Sequence, residues 1–148
     1  MKKTIKWLGF VLFIMSVIIP NIHAQNNASR LANERGVAAL DAGDFDRAIS
    51  EFSTAIRLDQ NNSIGYFNRG IAYFNKTDFD RAISDFTQAV RIDPNFADAY
   101  YWRGYCHMYK LDFARAIPDF ENVLRIDPFY PDARESLSLA RTMRALEQ

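Results

Sequence analysis

Apolar residues return along this chain with the spacing of a helix, and the helices themselves return with a period of their own. Between residues 63 and 94, Phe67, Ile71 and Phe74 fall at i, i+4 and i+7, one face of a helix. Tyr66, Gly70 and Tyr73 form a second stripe beside them. The polar stretch NKTD at 75–78 breaks the pattern, and Asp78 is placed to cap a new helix with its carboxylate. Ala82, Phe86 and Ala89 then keep helical spacing until Asp93 and Pro94, where a residue preceding proline is turned away from the helical region. The pattern predicts two helices joined by a short polar turn.

The same pattern occurs three times. DFDRAISEF at 44–52, DFDRAISDF at 78–86 and DFARAIPDF at 112–120 are offset by 34 residues, as are Gly36, Gly70 and Gly104 and the terminating RLDQ, RIDP and RIDP. A fixed period of this size is one supersecondary unit repeated, and such units stack into a solenoid. Glycine inside a helix costs about 1 kcal/mol relative to alanine. Three glycines in register therefore predict a close approach of the paired helices, with Gly70 facing the small Ala82. Pro118, inside the second helix of the third unit, removes one backbone donor and predicts a slight bend without a break. After Pro128 a further helix begins. Pro131 fits its first turn, Ala133, Leu137 and Ala140 make its apolar stripe, and Arg134, Glu135, Arg141 and Glu147 give it polar cover, as a closing helix needs for solubility.

These residues resemble the tetratricopeptide repeat family, whose pattern sets an aromatic, Gly, aromatic, Ala, aromatic, Ala and Pro at fixed positions. The second unit supplies Tyr66, Gly70, Tyr73, Ala82, Phe86, Ala89 and Pro94. The third supplies Tyr100, Gly104, Ala116, Phe120 and Pro128, with His107 and Val123 departing; the first supplies Gly36, Ala48, Phe52 and Ala55, with Ala32, Ala39 and Gln60 departing. Small residues at 32 and 39 suit the end of an array. The resemblance covers 29–130 and implies an all-α solenoid of antiparallel helix pairs with a C-terminal capping helix. The expected organisation is a leader at 1–24, a short segment at 25–28, repeats at 29–62, 63–96 and 97–130, and the capping helix at 131–148.

The leader rests on Lys2, Lys3 and Lys6, the apolar run WLGFVLFIMSVII and Ala24. These are the parts of a secretory signal peptide, and the run is shorter than the roughly 20 residues of a membrane-spanning helix. Cleavage is expected between Ala24 and Gln25, giving a periplasmic or secreted protein if the source is bacterial; the alternative is an N-terminal anchor kept uncleaved. The whole chain balances 18 Lys and Arg against 18 Asp and Glu; without the leader's three lysines the balance is 15 to 18, a net charge of −3. That charge lacks the basic footprint of a nucleic-acid binder. Cys106 is the only cysteine, so no intrachain disulfide can form and packing alone must hold the exported chain together.

The sequence carries no phosphate-cradling glycine loop, no Gly-x-Ser-x-Gly and no histidine pair at metal spacing. Cys106 and His107 are adjacent on a helix and point apart; both read as packing residues, and neither a catalytic residue, a metal ligand nor a cofactor is expected. Asp44, Asp46, Asp78 and Asp80 recur at helix starts, where acids suit the free amides and the dipole. Arg35, Arg69 and Arg103 recur beside the glycines and are open to two readings, binding an acidic partner or pairing within the fold. NAS, NNS and NKT are glycosylation triplets, relevant only in a eukaryotic source.

The resemblance places the first helix of each unit on the concave side. The matching positions are Asn33, Val37 and Leu40; Phe67, Asn68, Ile71 and Phe74; and Tyr101, Trp102, Tyr105, Met108 and Tyr109, an aromatic and aliphatic trough of the kind that supplies binding hot spots. In the third unit, Tyr101, Tyr105 and Met108 are expected to face a partner while Tyr100, Gly104 and His107 carry the packing. Some family members clamp acidic chaperone tails with two Asn and three basic residues. Here those positions hold Asn33, Val37, Asn68, Asp98 and Trp102, so only Asn68 matches and the clamp is absent. The expected function is an exported, non-catalytic module that binds a protein or peptide segment in this groove. Its structural rival is a homo-oligomeric envelope scaffold whose groove receives another copy's helix.

Overall fold

The computed structural model describes residues 24–147. Residues 1–23 of the expected leader lie outside them, while Ala24 and Gln25, on either side of the expected cleavage point, fall at the start of the first helix. The described residues form helices α1 (24–41), α2 (Phe45–Leu58), α3 (Ser63–Asn75), α4 (Phe79–Ile92), α5 (Ala97–Tyr109), α6 (Phe113–Ile126) and α7 (Ala133–Leu146), with no strand among them. From α2 onward each helix packs on the next, and α3 also touches α5. This is the all-α solenoid, three helix pairs followed by one more helix.

Each turn within a pair is built alike. Asp44, Asp78 and Asp112 accept from the backbone N–H of Arg47, Arg81 and Arg115 at 3.1 Å, a cap whose loss typically costs about 1 kcal/mol. The residue before each cap lies in the left-handed region: Gly43 at φ 75°, Thr77 at 59° and Leu111 at 57°. Glycine adopts this conformation freely; Thr77 and Leu111 do so under constraint from the helices on either side. The turns between pairs are also alike. The carboxylates of Asp59, Asp93 and Asp127 accept from the backbone N–H two residues on, at 3.0, 3.0 and 2.9 Å. Asn62 caps α3 through the N–H of Gly65 at 2.7 Å. Its counterpart Phe96 makes no cap and packs its ring on Phe67 instead, 4.9 Å between centroids.

The glycines do mark a close approach, but the neighbour differs from the expected one. A Cβ at Gly70 would sit 2.6 Å from the Phe86 ring, and one at Gly36 2.5 Å from that of Phe52. The partner is thus the phenylalanine one turn beyond Ala82. Phe52, Phe86 and Phe120 are completely buried, each across from its glycine. Ala32 and Ala39 are buried too, and Ala39 shares a cluster with Ala48, Phe52 and Ala72.

Pro118 leaves α6 continuous. Pro131, by contrast, does not belong to the first turn of α7. That helix starts at Ala133, behind Asp132 in the left-handed conformation. Ala133, Leu137 and Ala140 are its buried stripe. The far side of α7 is not wholly polar, however: Leu139, Met143 and Leu146 are exposed along it.

Candidate functional site

The first helix of every pair carries the expected site residues. On α1, Val37 is exposed and Leu40 half-buried against the Ala39, Ala48 and Phe52 cluster. Asn33 accepts from Nδ2 of Asn68 on α3 at 3.5 Å, a contact at the outer limit of a hydrogen bond. Along α3, Phe67, Ile71 and Phe74 are half-buried against the core of Ala82, Phe86 and Cys106, as is Trp102 of α5.

From Phe74 the aromatic contacts run on without a gap. Its ring meets the indole of Trp102 edge-on at 5.0 Å and Tyr109 at 5.7 Å, while Phe79 stacks on Tyr109 at 5.1 Å. Trp102 and Tyr101 both adjoin Tyr105, and Tyr101 reaches Tyr130, in the turn before α7, at 5.0 Å. Tyr109 is 58% exposed at the open end of this wall. Offset and edge-on ring pairs of this kind hold one another in place.

The division expected within the third unit is not what the structure shows. Tyr101, Tyr105 and Met108 pack against Ala116, Ile117, Phe120, Leu137 and Ala140, so these side chains hold the last helices together as well as facing outward. Burial pushes the Tyr101 phenol up from its ordinary value. Both stripes of α5 therefore serve packing. A 13-residue helix between α4, α6 and α7 has little free surface, and all three of these side chains remain half-buried.

Of the recurring arginines, Arg69 and Arg103 belong to the fold, while Arg35 is exposed. Arg69 grips Asp85 through Nε and Nη2 at 2.7 and 2.8 Å and gives Nη1 to Ser53 of the preceding unit at 2.9 Å. Arg103 repeats this with Asp119 at 2.9 and 2.6 Å and with Thr87 at 3.2 Å. Each guanidinium also lies over the tyrosine one turn earlier, Tyr66 and Tyr100. A second ladder joins Lys76 to Asp46 and Lys110 to Asp80. Both are readable in the sequence as opposite charges, 16 positions apart within a unit and 30 apart between successive units.

Cys106 is completely buried, and burial pushes its thiol up to about 12. Such a group is protonated and inert at neutral pH. His107 is buried, its Nδ1 has no hydrogen-bond partner among the described residues, and burial lowers its pKa. It lines an open depression of about 370 Å³ with Arg103, Asp119 and Pro118. Among the described residues no three His, Cys, Asp or Glu side chains converge as a metal site, and no helix is long and apolar enough to cross a membrane.

The 34-residue register extends the outward face further than the three units. Adding 34 to Tyr105 and Tyr109 gives Leu139 and Met143 on α7, 51% and 37% exposed. The same step carries Asp98 to Asp132 and Tyr101 to Glu135. In the sequence this continuation is masked by the buried stripe of Ala133, Leu137 and Ala140, which already satisfies the amphipathic pattern of α7.

Comparison with known proteins agrees with this architecture. The family profile described as Tetratricopeptide repeat matches residues 33–95 and 67–131. The TPR domain of Arabidopsis OM64 superposes with a TM-score of 0.77 at 28% identity, covering 80% of this chain and 98% of that one. The first TPR of Spaghetti (RPAP3), bound to the HSP90 peptide SRMEEVD, gives 0.78 at 27% identity over 83% of this chain and 96% of its own. The second TPR domain of human RPAP3, in complex with the HSP70 peptide SGPTIEEVD, gives 0.73 at 28% over 81% and 98%. No curated protein is matched by the sequence.

Proposed function

The chain belongs to the tetratricopeptide repeat family, and from that premise we propose that it is an exported, non-catalytic interaction module that holds a protein or peptide segment against the aromatic face of α3 and α5. The fold is generally a scaffold for protein interaction, and two of its structural neighbours are bound to peptides. One observation carries the reading. The rings from Phe74 through Trp102 and Tyr105 to Tyr109 form one connected, partly open surface. Rigid aromatic side chains give large contact area and little conformational entropy to lose, so they anchor interfaces well. Export rests on the leader composition of residues 1–24. The Cys106 thiol and the buried His107 offer no nucleophile–base pair, which fits a protein that binds without turning anything over.

The test is site-specific photo-crosslinking in the native envelope. A photoreactive amino acid replacing Tyr109 should capture a discrete protein, and one replacing Ser84, exposed on the second helix of its pair, should not. Capture only from position 84 would move the site to the other side of the array. Capture of a second copy of the chain would favour the scaffold. An intact mass beginning at Gln25 is expected for the exported protein; retention of Met1 in the membrane fraction would support the anchor.

A further inference from the structure

We propose that the segment received by this face is basic, presenting a Lys or Arg beside apolar side chains, and that its cation is taken between the Asp98 carboxylate and the rings of Trp102, Tyr101 and Tyr130. The inference rests on the groove reading above and adds the charge of the occupant.

Three observations point the same way. The first is an inventory of charge. In register along the start of α1, α3, α5 and α7 lie Arg30, Ile64, Asp98 and Asp132; one turn on lie Asn33, Phe67, Tyr101 and Glu135. The only cation among them, Arg30, is bound to Glu34 at 2.9 Å. Arg134, the nearest arginine on α7, gives Nη2 to the carbonyl of Pro128 at 3.1 Å. The register positions at its α5–α7 end are therefore acidic, and among the described residues the arginine beside them on α7, Arg134, is turned to the Pro128 carbonyl.

The second is the setting of Asp98. It lies on the first turn of α5, exposed, one turn before Trp102 and on the same side of the helix. The phenol of Tyr130 donates to its Oδ1, and no hydrogen bond among the described residues takes Oδ2. The carboxylate is thus oriented by one partner and open to another.

The third is the surface beside it. Tyr130, Tyr101, Trp102 and Tyr105 are contiguous. A Lys or Arg over the face of Trp or Tyr is attracted by the ring quadrupole, most of all when the site is partly desolvated. The phenols register the local charge as well: burial first, then the Asp98 hydrogen bond and nearby carboxylates, push the Tyr130 phenol up. An anion brought here would be repelled by those carboxylates; a cation completes them.

The experiment uses the full chain with Trp7→Phe, which leaves Trp102 as its single tryptophan. A random dodecapeptide library is selected on this protein, and the enriched peptides are synthesised and titrated by Trp102 emission. The proposal expects enriched peptides rich in Lys or Arg with apolar neighbours. It expects them to shift Trp102 emission, to weaken with salt, and to bind Asp98→Lys at least about tenfold more weakly, with Asp98→Asn between the two. Acidic or uncharged peptides that shift Trp102 would overturn the charge assignment and leave the groove standing. So would basic peptides that bind Asp98→Lys as tightly as the parent. Enriched peptides that leave Trp102 emission unchanged, or no enrichment at all, would overturn the groove reading together with the inference. Asp98→Asn keeps an acceptor for Tyr130, so the comparison survives if the charge reversal disturbs the turn before α7.

Discussion

The inner contacts of this molecule repeat and its outward face does not. Gly36, Gly70 and Gly104 each lie across from a buried phenylalanine, and Arg69 and Arg103 make the same three bonds 34 residues apart. On the first helices, one position reads Val37, Ile71, Tyr105 and Leu139, and another reads Asn33, Phe67, Tyr101 and Glu135. The repeated positions answer to a neighbour that is the same in every unit. The varied positions share no contact common to every unit, and those of the middle and last pairs also pack on the core. Within this array the likeness between units reports the fold, and the unlikeness marks where the proposed site lies.

The contrast is open to breaking at its strongest point. Gly70→Leu forces a side chain into the ring of Phe86, which is fully enclosed and has nowhere to move. A loss of about 3 kcal/mol or more is expected, at the upper end of overpacking costs, read from urea denaturation. The alanine series refines this. A Cβ at Gly104 meets Phe120 at 3.1 Å, against 2.6 Å for Gly70 and Phe86, so Gly104→Ala should be the milder change. Equal losses at the two sites would show that the units are more alike in energy than these distances suggest.

Next in size is Arg69→Met, which strands the buried Asp85 without its partner. About 2–3 kcal/mol should be lost, because the carboxylate then carries its desolvation cost alone. Adding Asp85→Leu should recover most of it; if the double variant is no better than the single one, Arg69 stabilises by packing over Tyr66 and not by charge.

A gain is expected at the turn. Thr77 holds a left-handed conformation that Gly43 fills in the first unit, so Thr77→Gly should stabilise by about 0.5–1 kcal/mol. An unchanged denaturation midpoint would mean that the extra freedom of glycine in the unfolded chain offsets the relief. The smallest effect belongs to the varied face. Asn68→Ala breaks only the long contact with Asn33 and should cost less than about 0.5 kcal/mol. A large loss there would mean that this face also holds the fold.

The paired helices, their caps and the tight spot at Gly70 were legible because each depends on residues close in sequence or on a period that shows itself three times. The identity of the residue over Gly70 was not, since periodicity tells which faces meet and not which side chain slants across the gap; Phe86 reaches back one turn toward the start of its helix. The role of Arg69 and Arg103 is legible only once Asp85 and Asp119 are seen to lie at the same offset from each. Tyr101, Tyr105 and Met108 form a free stripe only on a lone α5. With α7 beside it, the same stripe faces both a neighbour and the open. The exposed Leu139 and Met143 were hidden by composition, since Ala133, Leu137 and Ala140 already satisfy the amphipathic pattern of α7.

The ladder of Lys76 with Asp46 and Lys110 with Asp80 stops at Ala42 on one side and Ala114 on the other, where the matching charges are missing. Only the middle unit therefore carries both a lysine reaching back and an aspartate waiting ahead, just as it alone offers both Arg69 to one neighbour and Thr87 to the other. A gene in which the stretch for 63–96 is copied in tandem would encode a chain whose every joint is already spelled. Lengthening by duplication is written into the middle of this protein, and the two alanines are where such growth ends.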